Sequence, residues 1–219
     1  RSRLFSRRRE VKDGVFLRGD AVTARRGSEE REVLRLSGIK LPGIHNVENY
    51  MAAIAAVDGI VPDKIIRKFA AEFGGVEHRI ELVRELNGVR YYNDSIASSP
   101  SRTIAGLRSF DQKIILIAGG KDKGIPYDAL GPEVNEHVKL LILCGATAGV
   151  IRHAVEQAEN YAGLEVVDVN DYQEAAALAQ SRAEEGDLVM LSPASTSFDR
   201  FANFMERGWV FKEIVNALK

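Results

Sequence analysis

The sequence predicts an α/β protein whose larger part, from residue 77 onward, is a mainly parallel sheet with helices on both faces. Short apolar stretches typical of buried strands alternate there with segments that place apolar residues at helical spacing. The first two strands are joined by Asn87-Gly88, a dipeptide that favours a tight hairpin. We predict strands over residues 80–86, 89–93, 113–118, 139–144, 165–169 and 188–191, and helices over residues 101–109, 127–136, 147–160, 172–185 and 198–218.

The first 40 residues are expected to form a β meander. Val15–Arg18 and Val33–Leu36 have the composition of strands, and the charged, glycine-containing residues 25–31 between them are expected to form a loop. So short a meander buries little apolar surface by itself, which indicates the tail of a larger domain.

Two helices are predicted next. Asn46 is placed to cap an alanine-rich helix over residues 47–57. Pro62-Asp63 begins a second helix, which we expect to end at Gly74-Gly75. We place the domain boundary at this glycine pair, so that the two domains are residues 1–75 and 77–219.

The composition is that of an ordinary globular protein and excludes several functions. The chain has 219 residues, of which 45% are hydrophobic and 28% charged, with a net charge of −1. It shows no basic excess for nucleic acid, no apolar run long enough for a bilayer and no secretory signal. We therefore expect a cytoplasmic protein without nucleic-acid or membrane partners. The single cysteine, Cys144, lies in an apolar strand and is expected to be a buried thiol.

Three strands are followed by loops rich in small and hydroxyl residues: Asn93–Arg102, Gly119–Gly124 and Ser192–Asp199. Ligands of parallel sheets bind beyond the carboxyl ends of the strands, and such loops offer backbone N–H groups and hydroxyls to a carboxylate or phosphate. Each loop alone could instead supply only turns and helix caps. Gly119–Gly124 is not a Walker A loop, because Ile125-Pro126 stands where Lys-Ser/Thr is required.

Several polar residues outside these loops have two interpretations. Asn46 and Asn49 share a helix face and either line a cleft with their amides or serve as a cap and a surface residue. Arg79 is either a surface charge or a phosphate ligand. The histidines show no metal-ligand spacing with cysteine or carboxylates, so we expect no metal site in this chain.

Five motifs together resemble the Mur ligase family in their order and spacing. They are Leu41-Pro-Gly-Ile-His-Asn-Val-Glu-Asn-Tyr-Met-Ala-Ala, Glu77-His-Arg-Ile-Glu, Tyr92-Asn-Asp-Ser, Gly119-Gly-Lys-Asp-Lys and Leu191-Ser-Pro-Ala-Ser-Thr-Ser-Phe-Asp-Arg-Phe. The resemblance implies that residues 1–75 are the C-terminal part of a central ATP-binding domain and that residues 77–219 are a complete Rossmann-like C-terminal domain. The family's UDP-binding domain and Walker A loop have no counterpart in this sequence.

The resemblance also implies a reaction. The last motif, with Phe201-Ala-Asn-Phe-Met-Glu-Arg-Gly, is similar to that of the family member that adds D-glutamate to UDP-N-acetylmuramoyl-L-alanine in peptidoglycan precursor synthesis. There ATP phosphorylates the terminal carboxylate, the amine of D-glutamate attacks the acyl phosphate, and phosphate leaves. ATP and Mg²⁺ are the implied cofactors, with the metal ligands outside this sequence. We expect a monomer, and no activity from this fragment alone.

Carried over by motif, the resemblance implies two sets of binding residues. The nucleotide would contact Asn46, Asn49, Arg79 and Asp94. D-glutamate would contact Ser98, Lys123, Ser197, Phe198 and Phe204. Lys123 and Arg79 are the expected catalytic residues. Many relatives have a lysine where this chain has Ile96, so a charged contact is missing there, which Arg102 could replace.

Two other functions stay open. A sibling ligase of the Mur or folylpolyglutamate type would add a different amino acid, although the Asp-Asn-Pro-Arg type motif of the diaminopimelate- and lysine-adding members is not found. A non-catalytic nucleotide-binding module would keep the fold without a Walker A loop.

Overall fold

The structure, a computed structural model, describes residues 3–41 and 43–219. The chain divides into two compact units, Arg1–Gly74 and Gly75–Lys219. The division lies between the two glycines of the Gly74-Gly75 pair. Among the described residues, no helix has both the length and the apolar character needed to cross a bilayer.

The described residues of the first unit form a four-stranded sheet, two α-helices and a short 3-10 helix over Leu36–Gly38. The bounds are β1 Leu4–Ser6, β2 Gly14–Arg18, β3 Ala21–Arg26, β4 Glu29–Arg35, α1 Ile44–Val57 and α2 Asp63–Glu72. The strand order is β1-β2-β3-β4, with β1 parallel to β2 and the other neighbours antiparallel. The sheet and helices share one apolar core, in which Val15 and Val22 belong to the sheet and Met51 and Ile54 to α1. Burial of these side chains is what stabilises so small a sheet.

The predicted loop over residues 25–31 is wrong. These residues belong to the β3–β4 hairpin, which turns at Gly27-Ser28, and Gly27 has a φ of 62°. Arg25 and Glu30 are cross-strand partners, and Arg25 Nε donates to Glu30 Oε1 at 2.6 Å. The charges therefore lie on the exposed part of the hairpin as cross-strand ion pairs, which a strand tolerates as well as a loop does.

The predicted cap of the first helix is also wrong. Helix α1 begins at Ile44, and the capping position is Gly43, whose φ of 96° favours glycine. Asn46 lies in the first turn, and its backbone N–H donates to the Gly43 carbonyl at 3.0 Å. Helix α2 begins after Pro62 as predicted and ends at Glu72, before the glycine pair.

The second unit contains a six-stranded sheet and five helices. The strands are β5 Glu81–Leu86, β6 Val89–Asn93, β7 Ile114–Ala118, β8 Val138–Cys144, β9 Glu165–Val169 and β10 Leu188–Leu191. Their order is β5-β6-β10-β7-β8-β9. Only β5 is antiparallel to its neighbour, and the turn between β5 and β6 is Asn87-Gly88, with φ values of 52° and 77°. The predicted mainly parallel sheet and its hairpin are confirmed.

Helices cover both faces of this sheet, as predicted. They are α3 Pro100–Leu107, α4 Leu130–His137, α5 Ala148–Glu156, α6 Tyr172–Arg182 and α7 Phe204–Ala217. The core on one face joins α3, α4 and α5 to strand residues such as Leu116, and the core on the other face joins α6 and α7 to residues such as Ile115. All five residues of β7 are buried, which explains its continuous apolar run.

All five helices of this unit differ from their predicted bounds by at least one residue at an end, and α6 ends at Arg182 rather than at residue 185. Helix α4 begins at Leu130 rather than at residue 127, and α5 ends at Glu156 rather than at residue 160. The last helix begins at Phe204, because Asn203 caps it by accepting a hydrogen bond of 2.9 Å from the Glu206 N–H. Residues 198–203, predicted to be helical, precede the helix instead.

Candidate functional site

The three loops singled out in the sequence follow strands that are neighbours in the sheet. Strand β10 lies between β6 and β7, and Leu191 is paired in register with Asn93 on one side and Ile117 on the other. Hydrogen bonds continue past the strand ends, from the Asp94 N–H to the Leu191 carbonyl (2.7 Å) and from the Gly119 N–H to the Pro193 carbonyl (2.9 Å). The structure therefore brings the loops after β6, β7 and β10 together at one rim of the sheet.

Two of these loops are also bonded to each other. The Lys121 N–H donates to the Thr196 carbonyl at 2.9 Å, and the Thr196 N–H donates to the Lys121 carbonyl at 3.1 Å. Gly120 has a φ of 151°, and a Cβ there would lie 2.3 Å from the Thr196 carbonyl oxygen. Only glycine allows this approach of the two backbones.

A buried group of hydroxyls supports the same two loops. Tyr127 Oη is 2.9 Å from Ser195 Oγ, and Ser195 Oγ is 2.8 Å from Thr147 Oγ1. The Gly120 N–H donates to Thr147 Oγ1 at 3.1 Å. The residues Tyr127, Thr147 and Ser195 are all buried, so this network fixes the loop after β7 against the loop after β10.

Asp94 lies under the rim rather than on it. Its carboxylate accepts hydrogen bonds from Ser192 Oγ (2.8 Å, at Oδ2) and from the Ile80 N–H (3.2 Å, at Oδ1). Burial raises the pKa of Asp94 to about 7, against the two hydrogen bonds, which lower it. The carboxylate holds together the ends of β6 and β10 and the segment before β5.

Two arginines lie near Asp94. Arg79 is exposed, and its neighbours His78 and Ile80 have φ values of 66° and 46°. The guanidinium of Arg102 donates to the Ile96 carbonyl at 3.2 Å, which places a positive charge beside Ile96. The charges of both arginines act to lower the pKa of Asp94, although burial outweighs them.

The residues expected to contact D-glutamate lie on the same three loops and on the first turn of α7. Lys123 is exposed, Ser98 is half-buried and Ser197 is buried. Phe198 is 63% exposed, whereas Phe204 is half-buried against the ring of His78. A cation, hydroxyls and aromatic surface are thus available around the rim, which suits a small anionic molecule.

Asn46 and Asn49 belong to the first unit. They lie on one face of α1, and Asn49 Nδ2 donates to Asn46 Oδ1 at 3.5 Å. Asn46 is half-buried and Asn49 is exposed. The shared helix face is as predicted, and the role of the two amides stays a prediction.

Sequence reasoning missed Arg207, whose side chain is entirely buried. It lies on the same face of α7 as Phe211 and Val215, four and eight residues further on, which are also buried. An arginine that continues an apolar helical stripe is the signal that could have identified it.

His78 is held in one tautomer by Asn93. Asn93 Oδ1 accepts from the Ser95 N–H at 3.1 Å, so Nδ2 faces His78 Nδ1, at 2.9 Å, and donates to it. The proton of the neutral imidazole is therefore on Nε2. Burial lowers the pKa of His78. Protonation of Nδ1 would in addition place its N–H against the N–H of Asn93 Nδ2, with no acceptor between them.

Glu77, His78 and Glu81 are near enough together to suggest a metal site. Their chemistry does not fit one, because His78 Nε2 carries the proton. Lys212 Nζ is 3.0 Å from Glu77 Oε1 and 2.6 Å from Glu81 Oε1, so an ammonium group is already paired with both carboxylates. The cluster is an ion-pair network that joins α7 to the start of β5.

The second unit belongs to the class of α/β domains that bind ligands beyond the carboxyl ends of parallel strands. The chain belongs to the Mur ligase family: the family model for "Mur ligase, glutamate ligase domain" matches residues 78–195.

Two curated relatives cover almost the whole chain. The UDP-N-acetylmuramoylalanine–D-glutamate ligase of Ruminiclostridium cellulolyticum is 51% identical over 98% of this chain and 47% of its own length. The ligase of the same name from Acetivibrio thermocellus is 53% identical, with the same coverage of 98% and 47%. The chain thus spans about half the length of the curated relatives that it matches.

Solved structures of other ligases share the fold. The UDP-N-acetylmuramate-alanine ligase of Thermotoga maritima superimposes with a TM-score of 0.63 at 16% identity, covering 91% of this chain and 44% of that one. A folylpolyglutamate synthase of Mycobacterium tuberculosis complexed with ADP gives 0.63 at 14% identity, with coverage of 89% and 44%. At these identities the likeness concerns the fold alone.

Proposed function

We propose that the complete protein is an ATP-dependent ligase that adds D-glutamate to UDP-N-acetylmuramoyl-L-alanine in peptidoglycan precursor synthesis. In this proposal residues 1–75 are the C-terminal part of the central ATP-binding domain, and residues 77–219 are the C-terminal domain. The names of the relatives that are 51% and 53% identical support this substrate pair.

The observation that carries the proposal is the convergence of three loops at one rim of the sheet. Strands β6, β10 and β7 are adjacent, so residues more than 100 positions apart in sequence, such as Asp94 and Ser197, come from neighbouring strand ends. A rim with exposed ammonium groups, hydroxyls and backbone N–H groups suits an amino acid with two carboxylates.

The proposed roles follow the two sets of residues. Asn46 and Asn49 would contact the adenine side of the nucleotide, Arg79 its phosphates and Asp94 its ribose. Because the Asp94 carboxylate is already bonded to Ser192 and Ile80, we propose that it contacts ribose with its remaining lone pairs. D-glutamate would be held by Ser98, Lys123, Ser197, Phe198 and Phe204.

The chemistry proposed is carboxylate activation. A carboxylate is a poor electrophile, and transfer of the γ-phosphoryl group of ATP converts one of its oxygens into part of a leaving group. The D-glutamate amine then attacks the acyl carbon, and the tetrahedral intermediate expels phosphate to leave an amide. Lys123 and Arg79 would supply positive charge where negative charge develops.

Mg²⁺ would neutralise charge on the phosphates of ATP. The one carboxylate–histidine cluster among the described residues does not fit a metal ion, because Lys212 and a protonated Nε2 fill it. We therefore place the magnesium ligands outside this chain, and no step proposed here depends on a metal bound by its residues. We also propose that the protein acts as a monomer in the cytoplasm, without nucleic-acid or membrane partners.

Titration of the 219-residue chain with D-glutamate, followed by amide NMR, tests the substrate site. We expect shifts confined to Ser98, Lys123 and Ser197–Phe204, with L-glutamate as a comparator that gives none. Lys123→Met should abolish the shifts. Lys113→Met, which removes the same charge near the opposite end of β7, should leave them unchanged.

Equal shifts with the L form, or loss of the shifts in both variants, would contradict the D-glutamate assignment. A ligase assay of the complete protein with several amino acids separates the proposal from a sibling ligase of the Mur or folylpolyglutamate type. Incorporation of D-glutamate alone is expected. No turnover at all would favour a nucleotide-binding module.

A further inference from the structure

Arg207 contacts several of the segments that carry candidate site residues of the second unit. Its Nε donates to Ser95 Oγ (3.0 Å) and its Nη2 to the Ser95 carbonyl (2.8 Å), in the loop after β6. Its Nη1 donates to the Ser195 carbonyl (3.1 Å), in the loop after β10. Ser95 Oγ in turn donates to the Phe204 carbonyl at 2.7 Å, so Arg207 is linked through Ser95 to the first turn of α7.

The loop after β7 lies directly against the same guanidinium. A Cβ placed on Gly120 would be 3.2 Å from Arg207 Nη1, so the glycine backbone passes over the end of the side chain. One buried side chain therefore lies beneath all three loops of the rim and beside the turn that carries Phe204.

Stability alone does not favour an arginine at this position. The guanidinium is completely buried, and its acceptors are carbonyls and hydroxyls rather than a carboxylate. Burying a cation carries a desolvation cost, and an apolar residue that continued the stripe of Phe211 and Val215 would avoid that cost. What an apolar residue cannot do is donate to two loops at once in a fixed geometry.

We propose that Arg207 is the positioning residue of this site: its guanidinium holds the loops after β6 and β10 in one arrangement beneath the loop after β7. This inference rests on the proposed function for its substrate and adds a residue that acts through the loops rather than by touching D-glutamate.

The test uses the 219-residue chain with Arg207→Met, which removes the donors, and Arg207→Lys, which keeps the charge. Arg182→Met, at an exposed arginine on α6, is the matched control. Hydrogen exchange is measured at three rim amides and at amides of β7 in the core. The Ile96 amide donates to the His78 carbonyl, and the Lys121 and Thr196 amides donate to each other's carbonyls.

In Arg207→Met we expect exchange at the three rim amides to rise roughly tenfold or more, since hydrogen bonds to a charged group are lost, while the β7 amides change less. The dissociation constant of D-glutamate should rise roughly tenfold for the same reason. Arg207→Lys should restore only part of both effects, because one nitrogen cannot reach Ser95 and Ser195 together. The control should match the wild type.

Unchanged rim exchange, or a uniform rise across the β7 core, would overturn the inference, because a purely structural residue would loosen the whole unit. If Arg207→Met does not fold, Ser95→Ala removes one acceptor while keeping the arginine. It should still raise exchange at Ile96, and no rise would equally overturn the inference. If the wild-type chain does not bind D-glutamate, the assignment of this rim as the D-glutamate site is contradicted, while the exchange data still decide the role of Arg207.

Discussion

Ser192 Oγ donates a hydrogen bond of 2.8 Å to Asp94 Oδ2, and this bond joins the first residues beyond two neighbouring parallel strands. Both residues are buried. The bond lowers the pKa of Asp94, but burial has the larger effect and raises that pKa to about 7. The end of β6 is therefore held by a carboxyl group that changes its charge near neutral pH.

The first prediction concerns the pH dependence of stability. The pKa of Asp94 is raised from its ordinary value of 3.8 to about 7, so the folded chain binds a proton that the unfolded chain has lost. The contribution of Asp94 to the free energy of unfolding is largest below about pH 4 and falls by about 1.4 kcal/mol per pH unit up to about pH 7.

Asp94→Asn does not titrate. Its Oδ1 can still accept from the Ile80 N–H, whereas its Nδ2 is a donor and replaces the acceptor that Ser192 Oγ uses. The difference in free energy of unfolding between wild type and this variant should therefore decrease from pH 4 to pH 7 and then become constant, as measured by urea unfolding. A difference that is the same at every pH would contradict the prediction. The carboxyl carbon resonance of Asp94 provides an independent measurement of the same pKa.

The second prediction concerns Gly120. Alanine at this position places a Cβ 2.3 Å from the Thr196 carbonyl, and the φ of 151° disfavours any other residue. We expect a loss of about 2 kcal/mol or more in the free energy of unfolding, with weaker D-glutamate binding, because the two loops must separate. Calorimetry and the NMR titration measure the two effects.

Gly149→Ala is the control for this change. Gly149 lies in α5, and a Cβ there meets nothing within 4 Å. Alanine is expected to stabilise the helix by about 1 kcal/mol and to leave D-glutamate binding unchanged. If both variants behave alike, the close approach of Gly120 to Thr196 is not what limits the site.

The third prediction concerns the buried hydroxyls. Thr147→Val keeps the shape of the side chain and removes the oxygen that bonds Gly120 and Ser195. It should lower the free energy of unfolding by about 1–3 kcal/mol, because buried polar groups lose their partner. Thr147→Ser retains the hydroxyl and should lose less. Equal stability of the serine and valine variants would show that the hydroxyl contributes nothing.

The fourth prediction concerns His78. We expect ¹⁵N NMR to find its proton on Nε2 and its pKa below the ordinary value, because burial disfavours the cation and Asn93 donates to Nδ1. Below about pH 6.5 the unfolded chain binds a proton at His78 that the folded chain does not bind as readily. His78 therefore lowers the free energy of unfolding as the pH falls. Addition of Zn²⁺ should leave the His78 resonances unchanged, and coordination shifts would refute the assigned tautomer.

Much of the fold could be predicted because local patterns determine it. Apolar runs such as Ile114–Ala118 identify buried parallel strands, and Asn87-Gly88 identifies the hairpin before them. The hairpin around Gly27 was missed because its strands carry charges, and those charges are satisfied only by partners on the opposite strand. Pairing across strands is not visible in the local composition.

The loops of the candidate site could be predicted from the sequence, but the contacts that hold these loops in place could not. Glycine and hydroxyl residues after β6, β7 and β10 mark three rim segments, yet no local signal places β10 between β6 and β7. The bonds of Arg207 to Ser95 and Ser195 depend on that placement. The spacing of residues along the sequence therefore does not reveal the long-range contacts that position the site.

The position of β10 also has a consequence for how the chain is made. Among the described strands, β10 is the last to leave the ribosome, and it nevertheless lies between β6 and β7 in the sheet. Until residues 188–191 emerge, β6 and β7 each present an unpaired, apolar edge, and every contact that would close the gap is long-range. Nascent chains halted before this point should depend on chaperones, and truncation just upstream of Leu188 should yield aggregates rather than a smaller folded domain.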